Sequence, residues 1–300
     1  MNQPRLLQQG DKVSIVATAR KVSLSEMQPA IDLLNSWGLQ VILPNGLFEH
    51  CNQFAGDDNN RAQMMQEALD NDDIRAIFCA RGGYGTVRII DKLDFTSFAK
   101  NPKWIVGYSD ITVLHSHIQK HFGIPTLHAI MPINIPKDAS AAPISKYPAI
   151  DSLKKALFCG PQKELHSQSN TFPNRRGETS APIVGGNLSI LYSLLSSPSD
   201  IDTDGKILFI EDLDEYLYHI DRMMQSLKRA GKFEHLKGLI VGAMSDMHDN
   251  SVPFGKSAED IIWDAVKDYT YPVWFSSPYG HIETDNIALC LGSPTRLTVN

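Results

Sequence analysis

Short apolar runs alternate with amphipathic stretches through the first half of the chain, and this alternation limits the possible folds more than any other feature. The runs with strand character are residues 12–17 (KVSIVA), 39–43, 76–80 (AIFCA) and 104–106 (WIV). Apolar residues at helical spacing fill the intervals, at 25–37, 61–70, 86–93 and 110–122. Strands that alternate with helices join through right-handed crossovers into a mostly parallel sheet. The first half is therefore predicted to be a Rossmann-like α/β domain.

The pattern changes after Met131. Four prolines (132, 136, 143 and 148) lie in a segment of small and polar residues, which is typical of an extended linker, and an amphipathic helix follows at 150–158. Later runs at 183–186, 206–210, 239–243, 287–291 and 297–299 have strand character, with helices at 187–195 and 216–230. We expect an amino-terminal domain at 1–132, a linker region at 133–165, and a second, partly barrel-like α/β domain at 166–300.

Charge and cysteine content exclude several classes of protein. The 300 residues carry 28 basic and 34 acidic side chains, a formal net charge of -6, and no basic tract that would bind nucleic acid or an anionic membrane. The four cysteines form no C-x-x-C pair, which excludes a zinc ribbon or a thioredoxin-like motif. No secretory signal or run near the ~18 apolar residues of a membrane span is found. We expect a reduced, soluble, cytoplasmic protein.

A serine lies in Gly107-Tyr108-Ser109-Asp110, between the WIV strand and a helix predicted to begin at Asp110. A serine on such a strand-to-helix turn presents its hydroxyl near unpaired backbone amides, as in a nucleophile elbow. Ile111 stands where G-x-S-x-G would have its second glycine. The alternative is that Ser109 only caps the helix, and the local sequence alone favours that interpretation.

A glycine-rich loop follows the AIFCA strand, in Arg81-Gly82-Gly83-Tyr84-Gly85. It lacks the third glycine of G-x-G-x-x-G and the ending of a P-loop, so it is weak as a nucleotide signature. Ligands bind open α/β sheets at the carboxyl ends of strands, which favours a loop that forms part of a site. The alternative is a tight turn that only requires positive φ angles.

Two later residues have positions suited to acid–base chemistry. Glu211 follows the apolar strand KILFI, where a carboxylate could orient a histidine, whereas Asp212, Asp214 and Glu215 are interpreted as complementing a helix amino terminus. His281 lies after a glycine in the turn-rich loop 277–283. The order serine, acid, histidine is also that of the α/β-hydrolase triads.

The remaining histidines carry no recognisable motif. His117 and His121 are four residues apart on a predicted helix, a spacing that metal ligands can have, but no H-E-x-x-H accompanies them and a solvated helix face is favoured. His115 lies on the same helix. No role is assigned to His128, His219, His235 and His248.

These motifs together resemble the bacterial L,D-carboxypeptidases (muramoyltetrapeptide carboxypeptidases), which are serine peptidases with a Ser-Glu-His triad. The similarity runs almost end to end and is carried by ARGGYG, GYSD, GGNL, IED and GH in this order and spacing. The resemblance implies that Ser109 is the nucleophile, His281 the general base and Glu211 its orienting acid. It also implies that the backbone amides of Gly82 and Asp110 form the oxyanion hole.

The resemblance further implies an active site between the two domains, a cytoplasmic homodimer and no metal or cofactor. The implied substrate is the murein tetrapeptide L-Ala-γ-D-Glu-meso-diaminopimelate-D-Ala, from which the terminal D-Ala is released during peptidoglycan recycling. Substrate binding is assigned to Arg81, Gly83 and Asn187, with Arg81 or Asn187 recognising the terminal carboxylate, although Arg81 could instead belong to a structural ion pair. A microcin-C-immunity-type hydrolase acting on peptidyl- or aminoacyl-nucleotide conjugates is the alternative enzyme. A non-catalytic ligand-binding protein is the alternative from another class.

Overall fold

The chain forms two sheets with helices packed against them. A computed structural model describes residues 3–167, 174–282 and 285–300, and the described residues form two six-stranded sheets. Within these ranges, none of the helices has the length and apolar character that crossing a membrane requires. Glu283, the last residue of the predicted loop motif, lies outside the described residues.

The structure bounds the elements as follows. The strands are β1 (Lys12–Val16), β2 (Gln40–Ile42), β3 (Ile74–Cys79), β4 (Trp104–Gly107), β5 (Thr126–His128), β6 (Glu164–His166), β7 (Gly177–Asn187), β8 (Ile207–Leu213), β9 (Gly238–Ser245), β10 (Val273–Trp274), β11 (Leu289–Leu291) and β12 (Pro294–Val299). The α-helices are α1 (Leu24–Ser36), α2 (Asp58–Asp70), α3 (Thr96–Lys100), α4 (Thr112–His121), α5 (Pro148–Phe158), α6 (Leu188–Ser193), α7 (Leu217–Arg229) and α8 (Ala258–Val266).

The first sheet has the strand order β11-β5-β4-β3-β1-β2. Its pairs are parallel except for β11 against β5. Residues of β1, β3 and β4 are almost all buried, because a parallel sheet is covered by helices on both faces. Helix α1 illustrates how the sequence produces this cover: Ser23 and Glu26 form a capping box at its start, and its buried face is Met27, Ala30, Leu33 and Leu34.

The second sheet has the strand order β10-β9-β8-β7-β12-β6. Strands β7 to β10 run parallel, β12 is antiparallel to β7, and β6 is parallel to β12. Helix α7 covers one face with Ile220, Met223, Met224 and Leu227, which all lie in one apolar core with side chains of β8 and β9. The predicted two-domain α/β class is confirmed.

The structure differs from the sequence-based prediction in several local features. Residues 86–93, predicted to be one helix, form two 3-10 turns, Thr86–Arg88 and Ile90–Lys92. Gly85 precedes the first turn with a φ of 147°, and its carbonyl is shared between Arg88 N–H and the side chain of Arg61, which favours the tighter i+3 pattern. Strands β5, β6 and β10 and helix α8 were not predicted.

Two segments bear on the predicted division of the chain. Helix α5, inside the predicted linker region 133–165, packs into the core of the first sheet through Ala149, Ile150, Leu153, Ala156 and Leu157. Strand β11, in the second half of the sequence, forms the edge of the first sheet. The boundaries at residues 132 and 165 stay predictions.

Candidate active site

Ser109 lies on a strained turn between β4 and α4. Its φ of 64° is in the left-handed region, which a non-glycine residue rarely adopts, and it begins a single 3-10 turn, Ser109–Ile111. The prediction that Ser109 caps the helix is wrong, because no side chain caps either this turn or α4. Within the described part of the chain no hydrogen bond involves the Ser109 hydroxyl. The geometry is that of a nucleophile elbow.

The glycine-rich loop after β3 lies directly against this serine. A Cβ atom built on Gly82 would be 3.0 Å from Ser109 Cβ and 3.1 Å from Ser109 Oγ. Real Cβ contacts are rarely this short, so only glycine lets the loop backbone come so close to the hydroxyl. The loop is therefore part of the site.

A buried polar network joins the glycine-rich loop to the elbow. The carboxylate of Asp110 accepts a hydrogen bond from Thr86 N–H at 2.9 Å, and the hydroxyls of Thr86 and Thr18 are 2.9 Å apart. Arg61, which is fully buried, donates to Thr18 O at 2.8 Å and to Gly85 O at 2.9 Å. Burial raises the pKa of Asp110, although the bonds from Thr86 oppose the shift. This network therefore joins the glycine-rich loop to Asp110, the two segments that carry the predicted oxyanion-hole amides.

Glu211 and His281 form a hydrogen-bonded pair. Glu211, in β8, is fully buried, and its Oε2 accepts hydrogen bonds from His281 Nδ1 at 2.6 Å and from the His281 backbone amide at 3.2 Å. Gly280 has a φ of 107°, and a Cβ atom there would be 2.7 Å from Glu211 Cβ, so a side chain at 280 would push the histidine loop away. Donation from Nδ1 leaves His281 Nε2 as the free, basic nitrogen.

Electrostatics stabilise the ionised form of this pair. Burial alone would raise the pKa of Glu211, but the charge of His281 and the hydrogen bonds to the carboxylate outweigh it and lower that pKa to about 2. For His281, burial favours the neutral ring, but the charge and hydrogen bond of Glu211 outweigh it and raise the pKa. A carboxylate that remains ionised beside an imidazole is what an orienting acid requires.

Tyr108 links the elbow to the histidine. Its ring centroid is 4.7 Å from that of His281, and Tyr108 is the residue before Ser109. The structure thus brings the histidine–glutamate pair to the elbow, although the three residues come from distant parts of the sequence. Hydrogen bonds between nucleophile and base are often long in an enzyme without substrate and shorten when substrate binds.

The predicted substrate-binding residues differ in their surroundings. Arg81 is half-buried in the glycine-rich loop and forms no salt bridge with any described residue, but its charge helps to lower the pKa of Glu26, so the structural alternative stays open. Gly83 has a φ of 107°, and a Cβ atom there would be 2.6 Å from Arg20 Cδ. The substrate-binding roles of Arg81 and Gly83 stay predictions.

Asn187 has a structural role instead of a free side chain. Its amide oxygen accepts from Ile190 N–H at 3.2 Å at the start of α6, and its Nδ2 donates to Asp212 Oδ1 at 2.8 Å. Only 4% of the residue is exposed. These internal partners use the amide oxygen and one of the two N–H groups of Nδ2, and the substrate-binding role of Asn187 stays a prediction.

Asp212 is interpreted from the sequence as complementing a helix amino terminus, and it lies buried against the start of α6. It is 1% exposed and accepts a hydrogen bond at 2.9 Å from Ser189 N–H, in the first turn of α6 rather than α7. Burial, with the neighbouring Glu211 charge, raises the pKa of Asp212 to about 7. Asp214 and Glu215 bind His248 and His219 instead.

Sequence reasoning missed His128. This last residue of β5 is fully buried, and its Nε2 is 3.7 Å from Glu211 Oε1. A polar residue at the end of a strand could have indicated a site residue, because the carboxyl ends of parallel strands meet at one edge of a sheet. No strand was predicted at 126–128, so the signal was not used.

Of the three histidines on α4, His115 is buried, His117 is half-buried, and His121 is exposed as a solvated helix face predicts. His115 is fully buried and hydrogen-bonded to Gly107 O at 2.9 Å, and burial lowers its pKa to about 3, which keeps the ring neutral. His117 binds Ser199 Oγ, and His121 binds Pro198 O, each at 2.9 Å. Over the described ranges no cluster of three or more His, Cys, Asp or Glu residues could hold a metal ion.

Comparison with known proteins assigns the chain to a family. Residues 13–129 match the LD-carboxypeptidase N-terminal domain, and residues 180–297 match the LD-carboxypeptidase C-terminal domain. A probable murein peptide carboxypeptidase of Bacillus subtilis is 35% identical over 298 residues, covering 97% of this chain and 89% of the relative.

Solved structures agree with this assignment. The muramoyltetrapeptide carboxypeptidase of Oxalobacter formigenes superimposes with a TM-score of 0.81 and 27% identity, over 96% of this chain and 95% of that one. The microcin C7 self immunity protein MccF gives the same TM-score at 20% identity, over 97% and 94%, which shows a shared fold only. The chain belongs to the LD-carboxypeptidase family and is a serine-type carboxypeptidase, a hydrolase.

Proposed function

We propose that this carboxypeptidase releases the terminal D-Ala from the murein tetrapeptide L-Ala-γ-D-Glu-meso-diaminopimelate-D-Ala. The observation that carries the proposal is the buried Glu211–His281 pair, with a 2.6 Å hydrogen bond, beside the strained elbow of Ser109. The names of its relatives from Bacillus subtilis and Oxalobacter formigenes support a murein peptide as substrate. A cytoplasmic homodimer acting in peptidoglycan recycling is part of the same proposal, and sedimentation of the purified protein tests the dimer.

The proposed reaction proceeds through an acyl-enzyme. His281 Nε2 takes the proton of the Ser109 hydroxyl as Oγ attacks the carbonyl carbon before D-Ala. The amides of Gly82 and Asp110 stabilise the oxyanion, and the imidazolium then protonates the leaving amine of D-Ala. Water, deprotonated by the same imidazole, attacks the ester and releases the tripeptide with a free carboxylate. Glu211 remains ionised throughout and stabilises the imidazolium.

Arg81 is the proposed anchor for the terminal carboxylate of the substrate. It is half-buried in the loop that contacts Ser109, and it forms no ion pair among the described residues, so its guanidinium could form a bidentate pair with a carboxylate. Arg81→Ala is assayed on the tetrapeptide and on its carboxyl-terminal amide. Unchanged discrimination between the two substrates would refute this role.

The function itself is tested by incubating the purified protein with the tetrapeptide and measuring free D-Ala by mass spectrometry. We expect release by the wild type and by Ser226→Ala, a half-buried serine-to-alanine control on α7, and none by Ser109→Ala. Product from Ser109→Ala at the wild-type rate would contradict the nucleophile assignment. Cleavage of an aminoacyl-nucleotide conjugate in place of the tetrapeptide would favour the microcin-C-type alternative.

A further inference from the structure

The two oxygens of the Glu211 carboxylate have different surroundings. Oε2 accepts both hydrogen bonds from His281, whereas Oε1 is buried and has no hydrogen-bond partner within the described ranges. Both ring nitrogens of His128 are likewise buried without a partner there. Leaving a buried carboxylate oxygen and an imidazole N–H unpaired side by side is costly, so the two groups have a strong reason to pair.

The ring of His128 is already directed at the unpaired oxygen. Its Nε2 is 3.7 Å from Glu211 Oε1, and a shift of roughly 0.5–1 Å would give an ordinary hydrogen bond. The ring packs edge-on against Phe209 with centroids 4.9 Å apart, and Tyr108 lies 5.8 Å away. Its backbone is paired with Gly107 of β4 and with Leu289 of β11. This packing restricts the ring to a position facing the carboxylate.

The titratable groups around His128 leave Glu211 as its natural partner. The ring of His115, on α4, is 6.4 Å away and is neutral because burial lowers its pKa to about 3. Tyr108, at the end of β4, donates its hydroxyl to Asn134 Oδ1, and burial raises its pKa to about 12. His281 and Asp212 act on the same carboxylate from the loop and from β8.

We infer that His128 is a positioning residue for the catalytic acid: its Nε2–H donates to Glu211 Oε1, so that the carboxylate is held between two imidazoles. The inference rests on the proposed function, because it assumes that Glu211 orients His281 for catalysis. A carboxylate bound on both oxygens cannot rotate about its terminal bond, and this fixes the tautomer and direction of His281. The negative charge of Glu211 is also partly shared with His128. The pKa of His281 is therefore lower than it would be if Glu211 bound His281 alone.

The test compares His128→Phe, which retains a flat ring and loses the donor, with His128→Gln, whose amide N–H2 reaches nearly the position of Nε2. The pKa of His281 is read by NMR titration of its ring in both variants and in the wild type. We expect it to be higher in His128→Phe and close to the wild-type value in His128→Gln. If the phenylalanine variant does not fold, His128→Leu takes its place. A His281 pKa that is unchanged or lower without the donor would overturn the inference.

Kinetics on the tetrapeptide form the second part of the test. Loss of a hydrogen bond to a charged group predicts a kcat roughly 10–100-fold lower in His128→Phe, with little change in KM and recovery in His128→Gln. An equal loss in both variants would indicate packing alone and overturn the inference. The NMR comparison needs no substrate, so failure of the wild type to release D-Ala would refute the proposed function while the pKa comparison still decides the role of His128.

Discussion

Replacing Glu211 with glutamine tests whether the buried carboxylate is ionised in the folded protein. Its pKa of about 2, against an ordinary value of 4.5, means that ionisation favours the folded state by on the order of 3 kcal/mol. Because its folded-state pKa is lowered, this stabilisation is present above pH 4.5 and is lost as the pH falls towards 2. His281, with a raised pKa, contributes stability below pH 6.5 that is lost as the pH rises through its folded-state pKa.

The pair therefore stabilises the fold most between pH 4.5 and 6.5. We expect Glu211→Gln to lower the free energy of unfolding by up to about 3 kcal/mol near pH 5.5, and by less near pH 3 and pH 9. Urea unfolding of both proteins at the three pH values measures this difference. Glu178→Gln, in an exposed ion pair with Arg296, is the matched control and should change stability by less than about 1 kcal/mol.

Activity gives a second measurement on the same variant. If Glu211 is the orienting acid, as proposed, loss of its negative charge should lower kcat by about 10⁴-fold and move the acidic limb of the pH–rate profile to lower pH. If the wild type and Glu211→Gln differed in unfolding free energy by the same amount at pH 3 and at pH 5.5, the reasoning would be refuted, because folding would then not change the pKa of Glu211.

Two further predictions concern the segments that carry the proposed oxyanion donors. Gly82→Ala places a methyl group 3.0–3.1 Å from Ser109 Cβ and Oγ, so we expect kcat to fall by ~10²–10³ with little change in Tm. Gly238→Ala, with a comparable 3.2 Å contact to Leu297 far from the site, should retain activity, and equal losses in both would contradict the argument. Asp110→Ala leaves Thr86 N–H unpaired and should lower the free energy of unfolding, measured with urea, by roughly 1–3 kcal/mol. Asp110→Asn retains an acceptor and should keep most of the stability. Equal stabilities of the two variants would show that this hydrogen bond does not contribute.

The sequence predicts the first sheet well because its elements are long and strongly periodic. Strands β1, β3 and β4 and helices α1, α2 and α4 all lie where apolar spacing places them. Strands β5, β6 and β10 have only two or three residues, and no predicted apolar run marked them, unlike the equally short β2 and β11, which fall in the predicted runs 39–43 and 287–291. They form because neighbouring strands offer hydrogen bonds, which is a property of the assembled sheet.

The polar residues of the site were predictable only where a local motif marked them. Ser109 lies in a strand–turn–helix pattern, and Glu211 follows an apolar strand. His128 and Asp212 owe their environments to distant segments: β8 lies beside the end of β5, and the start of α6 lies beside Asp212. A single sequence shows which residues can ionise, but the solvent exposure that sets their pKa values arises only after the two sheets meet.

Strand β11 makes the two halves of this enzyme inseparable. Leu289–Leu291 follow the His281 loop and complete the edge of the first sheet, before the chain returns to the second sheet as β12. A gene divided at residue 150 would produce one fragment with an exposed strand edge at β5 and another in which β11 has no strand to pair with. Chimeras between relatives should therefore exchange the β11 segment together with the amino-terminal half. Because β11 follows the His281 loop closely, its pairing with β5 also restrains movement of that loop.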